Sequence, residues 1–335
     1  MLSVILLSFR LFLNQSASTT PTQTPVHKLR SGEQRKTVSD AINDATLTPL
    51  VTERSAGPAV IRAQILLCRA HFSVGQIDGS PGTNFRRAVL DFQASRNIPP
   101  TGSVNKATWK ALNLDHRLAI VPYRITAEDV AGPFEKIPND WAQMAKLAQM
   151  GYESVDDELG ERFHSNPGLL HKLNPNKVFD QADTEIMVPD VGARLGAKAA
   201  SLVVSKSKRT VIALNNQHKV VALFPASTGS EHDPLPIGVW KVTTIHYHPT
   251  FSYNPDLFWD SGSTQSKELI APGPRGPVGV VWIGISKEHY GIHGTAVPSD
   301  IGHTQSHGCI RMTNWDAMEL AKMVGPGTPV HLVEE

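Results

Sequence analysis

The sequence predicts an α+β multidomain protein with a helical N-terminal part and a mainly β C-terminal part. The chain has 335 residues, which exceeds the usual size of a single domain, so two or three separate cores are expected. Apolar residues recur at helical spacing between residues 58 and 113, and they alternate in the manner of strands from residue 201 onward. These two periodicities indicate a helical region, a connecting module and a β domain.

The composition argues against a nucleic-acid partner and against a disulfide framework. Lys and Arg total 32 against 31 Asp and Glu, a formal net charge of +1. No long basic run is present that could follow a phosphate backbone. The two cysteines differ in setting, because Cys68 lies in an apolar helical pattern and Cys309 lies among Gly, His and Ser. We therefore expect both thiols to be unpaired.

Residues 1–18 have the pattern of a degenerate export signal or a membrane anchor. Their apolar core ends in small residues, but no Lys or Arg precedes it and Arg10 interrupts it. Residues 19–57 are rich in Ser, Thr, Pro and Gln, which predicts a disordered linker. We expect an exported protein of the periplasm or cell wall, tethered to the membrane if residues 1–18 are retained.

Three short helices are predicted for residues 58–115. Apolar side chains mark the face of the second helix at i, i+3, i+4 and i+7, namely Phe85, Ala88, Val89 and Phe92. Turn-forming residues at 76–82 and 99–102 separate the helices. The stretch IDGSPGTNFRRAVLDFQASRNIPPTGSVNKATWKAL resembles the small peptidoglycan-binding domain found beside many wall enzymes. An unrelated three-helix bundle is the alternative.

A second small module is predicted for residues 120–191. Strands at 123–126 and 185–188 enclose two helices, in the order strand, helix, helix, strand. With LLHKLNP and a closing IMVP, this α/β module resembles a LysM carbohydrate-binding module, lengthened by an insertion around residues 141–152. A plain helical linker domain is the alternative.

Residues 200–335 carry the strand pattern of a mainly β domain. Alternation predicts five strands, at Ser201–Val204, Thr210–Leu214, Val220–Phe224, Val239–Ile245 and Val278–Ile285. One helix is indicated near the end of the chain, where Thr313 and Asp316 form a capping box and Gly325 follows the last apolar turn.

Cys309 is the strongest candidate for a catalytic residue. A cysteine acts as an acyl-transfer nucleophile only as its thiolate, which requires a nearby base or positive field. His293 and His307 are the candidate bases, and sequence spacing does not decide between them. Gly308 carries no side chain, so the backbone N–H groups of residues 307–309 could face a developing oxyanion. These residues outline a site for acyl transfer.

The stretch HGTAVPSDIGHTQSHGCIRM, residues 293–312, resembles the signature of the L,D-transpeptidase (YkuD) catalytic domain. The similarity extends upstream through STGSEHDPLPIGVWKV and YNPDLFW. It implies a sandwich-like β catalytic domain over residues 200–335.

The resemblance also implies a role for each residue of the site. His293 would be the base, oriented by the backbone carbonyl of Gly294. The oxyanion hole would be formed by the backbone N–H groups of His307, Gly308 and Cys309. Residues expected to contact substrate are Ser306, Arg311, Tyr253 and Trp259. Arg311 could instead hold the loop, and packing explains the two aromatic residues equally well.

The implied reaction is a two-step acyl transfer on peptidoglycan that needs no metal and no cofactor. Cys309 attacks the carbonyl of the third, L-centred residue of a tetrapeptide stem and expels D-alanine. An amine then resolves the thioester. A second stem would give a 3-3 cross-link, a protein lysine an anchored lipoprotein, a free D-amino acid an exchange product, and water a carboxypeptidase product.

Three rival interpretations account for less of the sequence. A zinc site at His293, His303, His307 and Cys309 lacks the paired short ligand spacings of structural zinc. A non-catalytic wall-binding protein would have no need of the intact Cys309 and Gly308. A papain-like hydrolase has its cysteine before its histidine, whereas here the cysteine comes after it.

Overall fold

The computed structural model describes residues 37–193, 196–258 and 266–335. The predicted signal or anchor at residues 1–18 lies outside the described residues, and so does Trp259. Within the described ranges, no helix combines the length and the apolar character that a bilayer crossing requires.

The first four helices share one hydrophobic core. Their bounds are α1 Val38–Asn43, α2 Pro58–Arg69, α3 Thr83–Ser95 and α4 Lys106–Leu112. The last three lie where the sequence periodicity predicts them. Asn105 begins α4, because its side chain accepts a hydrogen bond from the backbone N–H of Thr108. At the centre of the core, the rings of Phe72 and Phe92 meet edge to face with centroids 5.5 Å apart.

Residues 37–57 are ordered, which contradicts the prediction of a disordered linker as far as residue 57. Thr37 caps α1, and Ile42 and Val51 are buried in the helical core. Val51 also forms a β-bridge with Val104. The segment is polar on average, but α1 packs against α2, and the Pro49 carbonyl accepts a hydrogen bond from the indole N–H of Trp109 at 2.7 Å. These contacts hold the segment in place.

The middle module consists of a small two-stranded sheet and three helices. Its elements are β1 Ile120–Arg124, α5 Trp141–Met144, α6 Val155–Arg162, α7 Pro167–Leu173 and β2 Glu185–Pro189. Strands β1 and β2 pair antiparallel over their whole length. The strand, helix, helix, strand order agrees with the sequence, and α5 is added within the insertion. The assignment to LysM stays a prediction.

The remaining elements form the β domain. Its strands are β3 Ser201–Ser205, β4 Thr210–Leu214, β5 Val220–Pro225, β6 Gly238–Tyr247, β7 Phe251–Tyr253, β8 Glu268–Ile270, β9 Val281–Ile285, β10 Gly291–His293, β11 Ile310–Arg311 and β12 Pro329–Val333, and its helix is α8 Asn314–Met323. Eight strands make one sheet in the order β11-β10-β9-β6-β12-β3-β4-β5, with β7 and β8 in a separate pair. Long strand β6 pairs with β12 through its first half and with β9 through its second half. The structure therefore has the predicted mainly β domain, in which eight strands form one continuous sheet.

The turn after α2 covers the outer edge of this sheet. Leu223 of β5 donates a hydrogen bond to the carbonyl of His71 at 2.9 Å and accepts one from the N–H of Ser73 at 2.8 Å. The Ser73 hydroxyl also donates to the buried carboxylate of Asp316 on α8, at 2.8 Å. The helical region thereby protects an edge strand that would otherwise expose unpaired backbone groups.

Candidate active site

Parallel pairing of β10 with β11 brings the two candidate catalytic side chains together. His293 ends β10 and lies opposite Arg311, while Cys309 immediately precedes β11. Side chains on a strand alternate between faces, so residues two apart share a face. By this register His293, Cys309 and Arg311 share one face, although sixteen positions separate the first two in the sequence.

The ring of His293 is fixed by a hydrogen bond and a stacking contact. Its Nδ1 lies 2.7 Å from the carbonyl oxygen of Gly294. A carbonyl only accepts, so Nδ1 carries the proton and Nε2 is left as the acceptor. The ring stacks on Trp282 with centroids 5.4 Å apart and planes at 16°. Burial lowers the pKa of His293 to about 4, so the ring is neutral at pH 7.

Cys309 is held as a thiol in the resting site. Its Sγ lies 3.7 Å from the carbonyl oxygen of His289. Burial raises the pKa of Cys309 to about 11, while the backbone N–H of Gly291 and the charge of Arg311 act in the opposite direction. The site at rest is therefore a neutral thiol beside a neutral imidazole, with a cation close enough to favour the thiolate when it forms.

Position 308 accepts only glycine for two independent reasons. Its φ is +96°, in the left-handed region that side chains disfavour. A Cβ there would lie 2.8 Å from the ring of Tyr290. This backbone conformation orients the peptide groups on either side of Gly308, directly next to Cys309.

Ser306 supports the turn that carries Cys309, and the substrate contact predicted for it stays a prediction. Its hydroxyl donates to the backbone carbonyl of Cys309 at 2.5 Å, and its side chain is buried. Its backbone N–H donates to the carbonyl of Thr228 at 3.1 Å. These bonds tie the turn to the start of β11 and to the strand edge beside it.

Arg311 likewise acts on the loop. Its guanidinium donates to the carbonyl of Gln305, which closes the segment between His303 and Cys309. Its Nε is buried and has no hydrogen-bond partner among the described residues. Burial lowers the pKa of Arg311, and the nearby Asp300 and Cys309 partly offset that effect. Of the two roles that the sequence leaves open, the geometry favours holding the loop.

The aromatic residues near the site are packed together. Tyr253 is 2% exposed and stacks on Trp141 of α5, with ring centroids 4.1 Å apart. Phe258 lies 5.3 Å from Tyr253 and 5.2 Å from the exposed His307, again between ring centroids. Tyr253 is therefore one link in an aromatic row that runs from the middle module to the loop of Cys309, and it does not line an open groove.

Three residues that the sequence did not single out complete the site. Trp282 stacks on His293, and Tyr290 occupies the space above Gly308. Asn314 Oδ1 accepts hydrogen bonds from the N–H groups of Val280 and Thr295, each at 3.2 Å. Each acts through a contact between residues distant in the sequence, and no periodicity or motif indicates such a contact.

One rival interpretation of the sequence is a zinc site formed by histidine and cysteine side chains. Across residues 37–193, 196–258 and 266–335, three His, Cys, Asp or Glu side chains do not gather at any point as a metal ion would require. His303 and His307, two of the ligands of that interpretation, are exposed.

Comparison with known proteins places these features in a family. A family model of the L,D-transpeptidase catalytic domain (YkuD) matches residues 199–332, and one of peptidoglycan-binding domains matches residues 56–112. The candidate L,D-transpeptidase YkuD of Bacillus licheniformis is 56% identical over 61 residues, 18% of this chain and 37% of that protein. Its Bacillus subtilis counterpart is 56% identical over 57 residues, 17% and 35% of the two chains. The chain thus spans about a third of the length of these two relatives.

A longer match decides the family. The probable L,D-transpeptidase YbiS of Escherichia coli is 37% identical over 234 residues, which are 65% of this chain and 73% of that protein. The chain belongs to the L,D-transpeptidase family. The predicted family and the predicted peptidoglycan-binding domain are therefore confirmed, together with the fold class.

Solved structures of L,D-transpeptidases also resemble the chain. The one from Xylanimonas cellulosilytica is 16% identical and covers 85% of this chain and 98% of its own, with a TM-score of 0.36.

Proposed function

We propose that this L,D-transpeptidase is an exported cell-wall enzyme that transfers peptidoglycan stem peptides through a thioester on Cys309. The observation that carries the proposal is the pairing of β10 with β11, which places Cys309 and His293 on one face. The hydrogen bond from Nδ1 to the Gly294 carbonyl leaves Nε2 of His293 free to take a proton. The peptidoglycan-binding domain supports peptidoglycan as the substrate.

Acylation would begin with proton transfer from the Cys309 thiol to Nε2 of His293. The thiolate attacks the carbonyl carbon of the third stem residue, and the carbonyl π electrons move to oxygen. Backbone N–H groups at residues 307–309 would stabilise that oxyanion, and Gly308 allows them to face it. When the oxyanion collapses, the C–N bond to D-alanine breaks. The leaving amine takes the proton from the imidazolium, and the thioester remains.

Deacylation would reverse the proton transfers with an amine as nucleophile. The amine attacks the thioester carbon, passes one proton to His293, and forms a C–N bond as the C–S bond breaks. The Cys309 thiolate then recovers its proton from the imidazolium. We propose a stem amine as the acceptor, giving a 3-3 cross-link. If a protein lysine, a free D-amino acid or water were the acceptor instead, the product would have a different mass.

The resting electrostatics agree with this order of events. Because burial favours the neutral forms of both His293 and Cys309, an ion pair is not the ground state. The ion pair would form only transiently, immediately before the attack, and the negative charge on the thiolate and then on the oxyanion would have Arg311 and the backbone N–H groups beside it.

Mass spectrometry of the products from purified disaccharide-tetrapeptide tests the proposal. Release of D-alanine with formation of a 3-3 dimer is the expected result. A released tripeptide without dimer would identify water as the acceptor, and unchanged tetrapeptide would contradict the proposed substrate.

A carbapenem provides a second test that does not depend on the stem peptide. Its strained β-lactam carbonyl is an acyl donor, so an adduct is expected on Cys309. The Cys309→Ala variant should form none. An adduct located on Cys68 would contradict the assignment of the nucleophile.

A further inference from the structure

We infer that the middle module is a structural part of the active site, in which Asp157 and Arg275 are positioning residues for His293. This inference rests on the proposed function of His293 as the base. It concerns a module that the sequence presents as a separate carbohydrate-binding unit, and it assigns that module a role inside the catalytic domain.

The link begins with a fork of hydrogen bonds between the two regions. Arg275 lies between β8 and β9, and Asp157 lies in the first turn of α6. Arg275 Nε donates to Asp157 Oδ2 at 2.7 Å, and Arg275 Nη2 donates to Asp157 Oδ1. Two parallel bonds of this kind fix both the distance and the plane of a guanidinium.

The same guanidinium reaches the segment that follows His293. Arg275 Nη1 donates to the carbonyl of Ala296 at 2.6 Å, three residues after His293. Between them, Asn314 accepts the N–H of Thr295 at 3.2 Å. Residues 294–296 are therefore held from two sides. The carbonyl of Gly294, which accepts the Nδ1–H of His293, belongs to this segment.

The environment that orients Arg275 comes almost entirely from the middle module. Its side chain is 9% exposed, and a buried cation needs partners to offset desolvation. Besides Asp157, Glu161 lies 3.4 Å away and the ring of Tyr152 lies 5.5 Å away, and all three belong to the module. The backbone N–H of Arg275 also donates to Met150 at 3.0 Å.

Loss of the Asp157 carboxylate should therefore displace the Ala296 carbonyl. The Gly294 carbonyl, which orients the His293 ring, belongs to the same segment and should move with it. A small error in the orientation of a catalytic base reduces turnover with little effect on ground-state binding, since binding does not use the imidazole. A purely structural contact would change the stability of the protein and leave the turnover of the folded protein unchanged.

The test compares Asp157→Asn with Asp156→Asn in the full-length Cys68→Ala chain. Asp156 is the neighbouring carboxylate and contacts His171 instead of Arg275. For Asp157→Asn we expect kcat for D-alanine release to fall by about 10- to 100-fold with KM within about twofold. Asp156→Asn should change neither value by more than about twofold. An unchanged kcat in folded Asp157→Asn would overturn the inference.

Alkylation of Cys309 by iodoacetamide provides a readout that needs no peptidoglycan, so it is informative even if the proposed substrate is wrong. At pH 7 the thiol depends on His293 as base, and Asp157→Asn should react about tenfold more slowly. At pH 10 hydroxide maintains a fraction of thiolate that does not depend on His293, and the variant should approach the rate of the parent. Equal slowing at both pH values would indicate general damage and overturn the inference.

If Asp157→Asn does not fold, Arg275→Lys tests the link from the other side. Lysine keeps the positive charge and loses the two-pronged geometry. The same fall in kcat and the same pH-dependent alkylation are expected. Parent values for both would contradict the inference.

Discussion

The surroundings of Cys68 and Cys309 differ far more than the two thiols themselves. Both side chains are partly buried, and burial raises the pKa of both, to about 12 for Cys68 and about 11 for Cys309. Cys68 lies on α2 near the carboxylates of Asp316 and Glu319, which raise its pKa further. Cys309 lies on the loop before β11, near Arg311 and on the face that His293 shares.

The difference teaches that a raised resting pKa does not distinguish an inert cysteine from a nucleophile. The two cysteines differ in the groups that can accept the thiol proton and stabilise the thiolate that forms. Near Cys68 a thiolate would meet the acidic side chains of Glu319 and Asp316, which oppose a further negative charge. Near Cys309 it would meet an imidazole acceptor, a guanidinium and backbone N–H groups. The predictions below test this contrast.

Substitution of each cysteine by alanine should give the largest difference in activity between the two. Cys309→Ala should lower D-alanine release by at least about 10⁴-fold, because no other group forms the thioester. Cys68→Ala should leave the rate within about twofold. Steady-state kinetics on folded protein, with the midpoint of thermal unfolding as the control for folding, gives both values. Turnover by Cys309→Ala would contradict the assignment of Cys309 as the nucleophile.

Removal of the base should have the next largest effect. His293→Gln keeps a hydrogen-bonding side chain but accepts no proton at neutral pH, so kcat/KM should fall by about 10²- to 10⁴-fold. His307→Gln is the matched control, since the His307 ring is exposed and packs edge-on against Phe258. A greater loss for His307→Gln would exchange the roles of the two histidines.

A methyl group at position 308 should disturb the loop next to Cys309. Gly308→Ala places a Cβ 2.8 Å from the Tyr290 ring at a φ of +96°. We expect about a 10²-fold loss of the acylation rate, since the N–H groups around the oxyanion are moved. Gly325→Ala is the control, because nothing lies within 4 Å of its Cβ position. Carbapenem acylation rates measure both variants, and equal rates would contradict the proposed oxyanion site.

The pH dependence of acylation should reflect the burial of His293. The neutral imidazole is the active form, and its pKa is lowered to about 4, so the rate should fall as the pH falls through about 4. An exposed histidine would give a fall near its ordinary value of about 6.5. Acylation rates between pH 3.5 and pH 7 decide the matter, and a fall near pH 6.5 would show that the imidazole is solvated.

The carboxylate beside Cys68 should produce the smallest effect, on stability alone. Burial raises the pKa of Asp316 to about 8, so between its unfolded value of 3.8 and pH 8 the folded state binds a proton that the unfolded state releases. The free energy of unfolding should therefore decrease as the pH rises over that range.

Asp316→Asn should reduce this decrease by about 1 kcal/mol or more. Urea unfolding at pH 5 and pH 8 measures it, with Asp183→Asn as the control, since that carboxylate is 87% exposed. An unchanged pH dependence in Asp316→Asn would show that the carboxylate is ionised in the folded protein.

Much of the fold could be predicted because local patterns determine it. Strand β4 has the predicted bounds, and Ser154 begins α6, because its side chain accepts a hydrogen bond from the Asp157 N–H at 3.1 Å. The capping box at Thr313 and Asp316 is only half formed, because the Asp316 carboxylate accepts from Ser73 instead. Long-range contacts override local chemistry there, as Ile42 and Val51 do in the segment predicted to be disordered.

The site residues could be predicted only where the residue type itself indicates a chemical role. Cys309, His293 and Gly308 stand out as a nucleophile, a base and a glycine in one motif. Trp282 contacts His293 from a neighbouring strand, and Arg275 contacts Asp157 of the middle module, so neither role can be recognised from the local sequence. The predicted strand from Val278 begins three residues later, since Gly279 adopts a φ of +61° to make room for Asn314.

The central claim is that one of the two cysteines carries the acyl group. The most direct measurement is mass spectrometry of the protein, rapidly quenched with acid during turnover of disaccharide-tetrapeptide and then mapped by peptide digestion. The account predicts a mass increase equal to the substrate minus D-alanine, located on Cys309 and absent from Cys309→Ala. Turnover without any adduct, or an adduct located on Cys68, would contradict it.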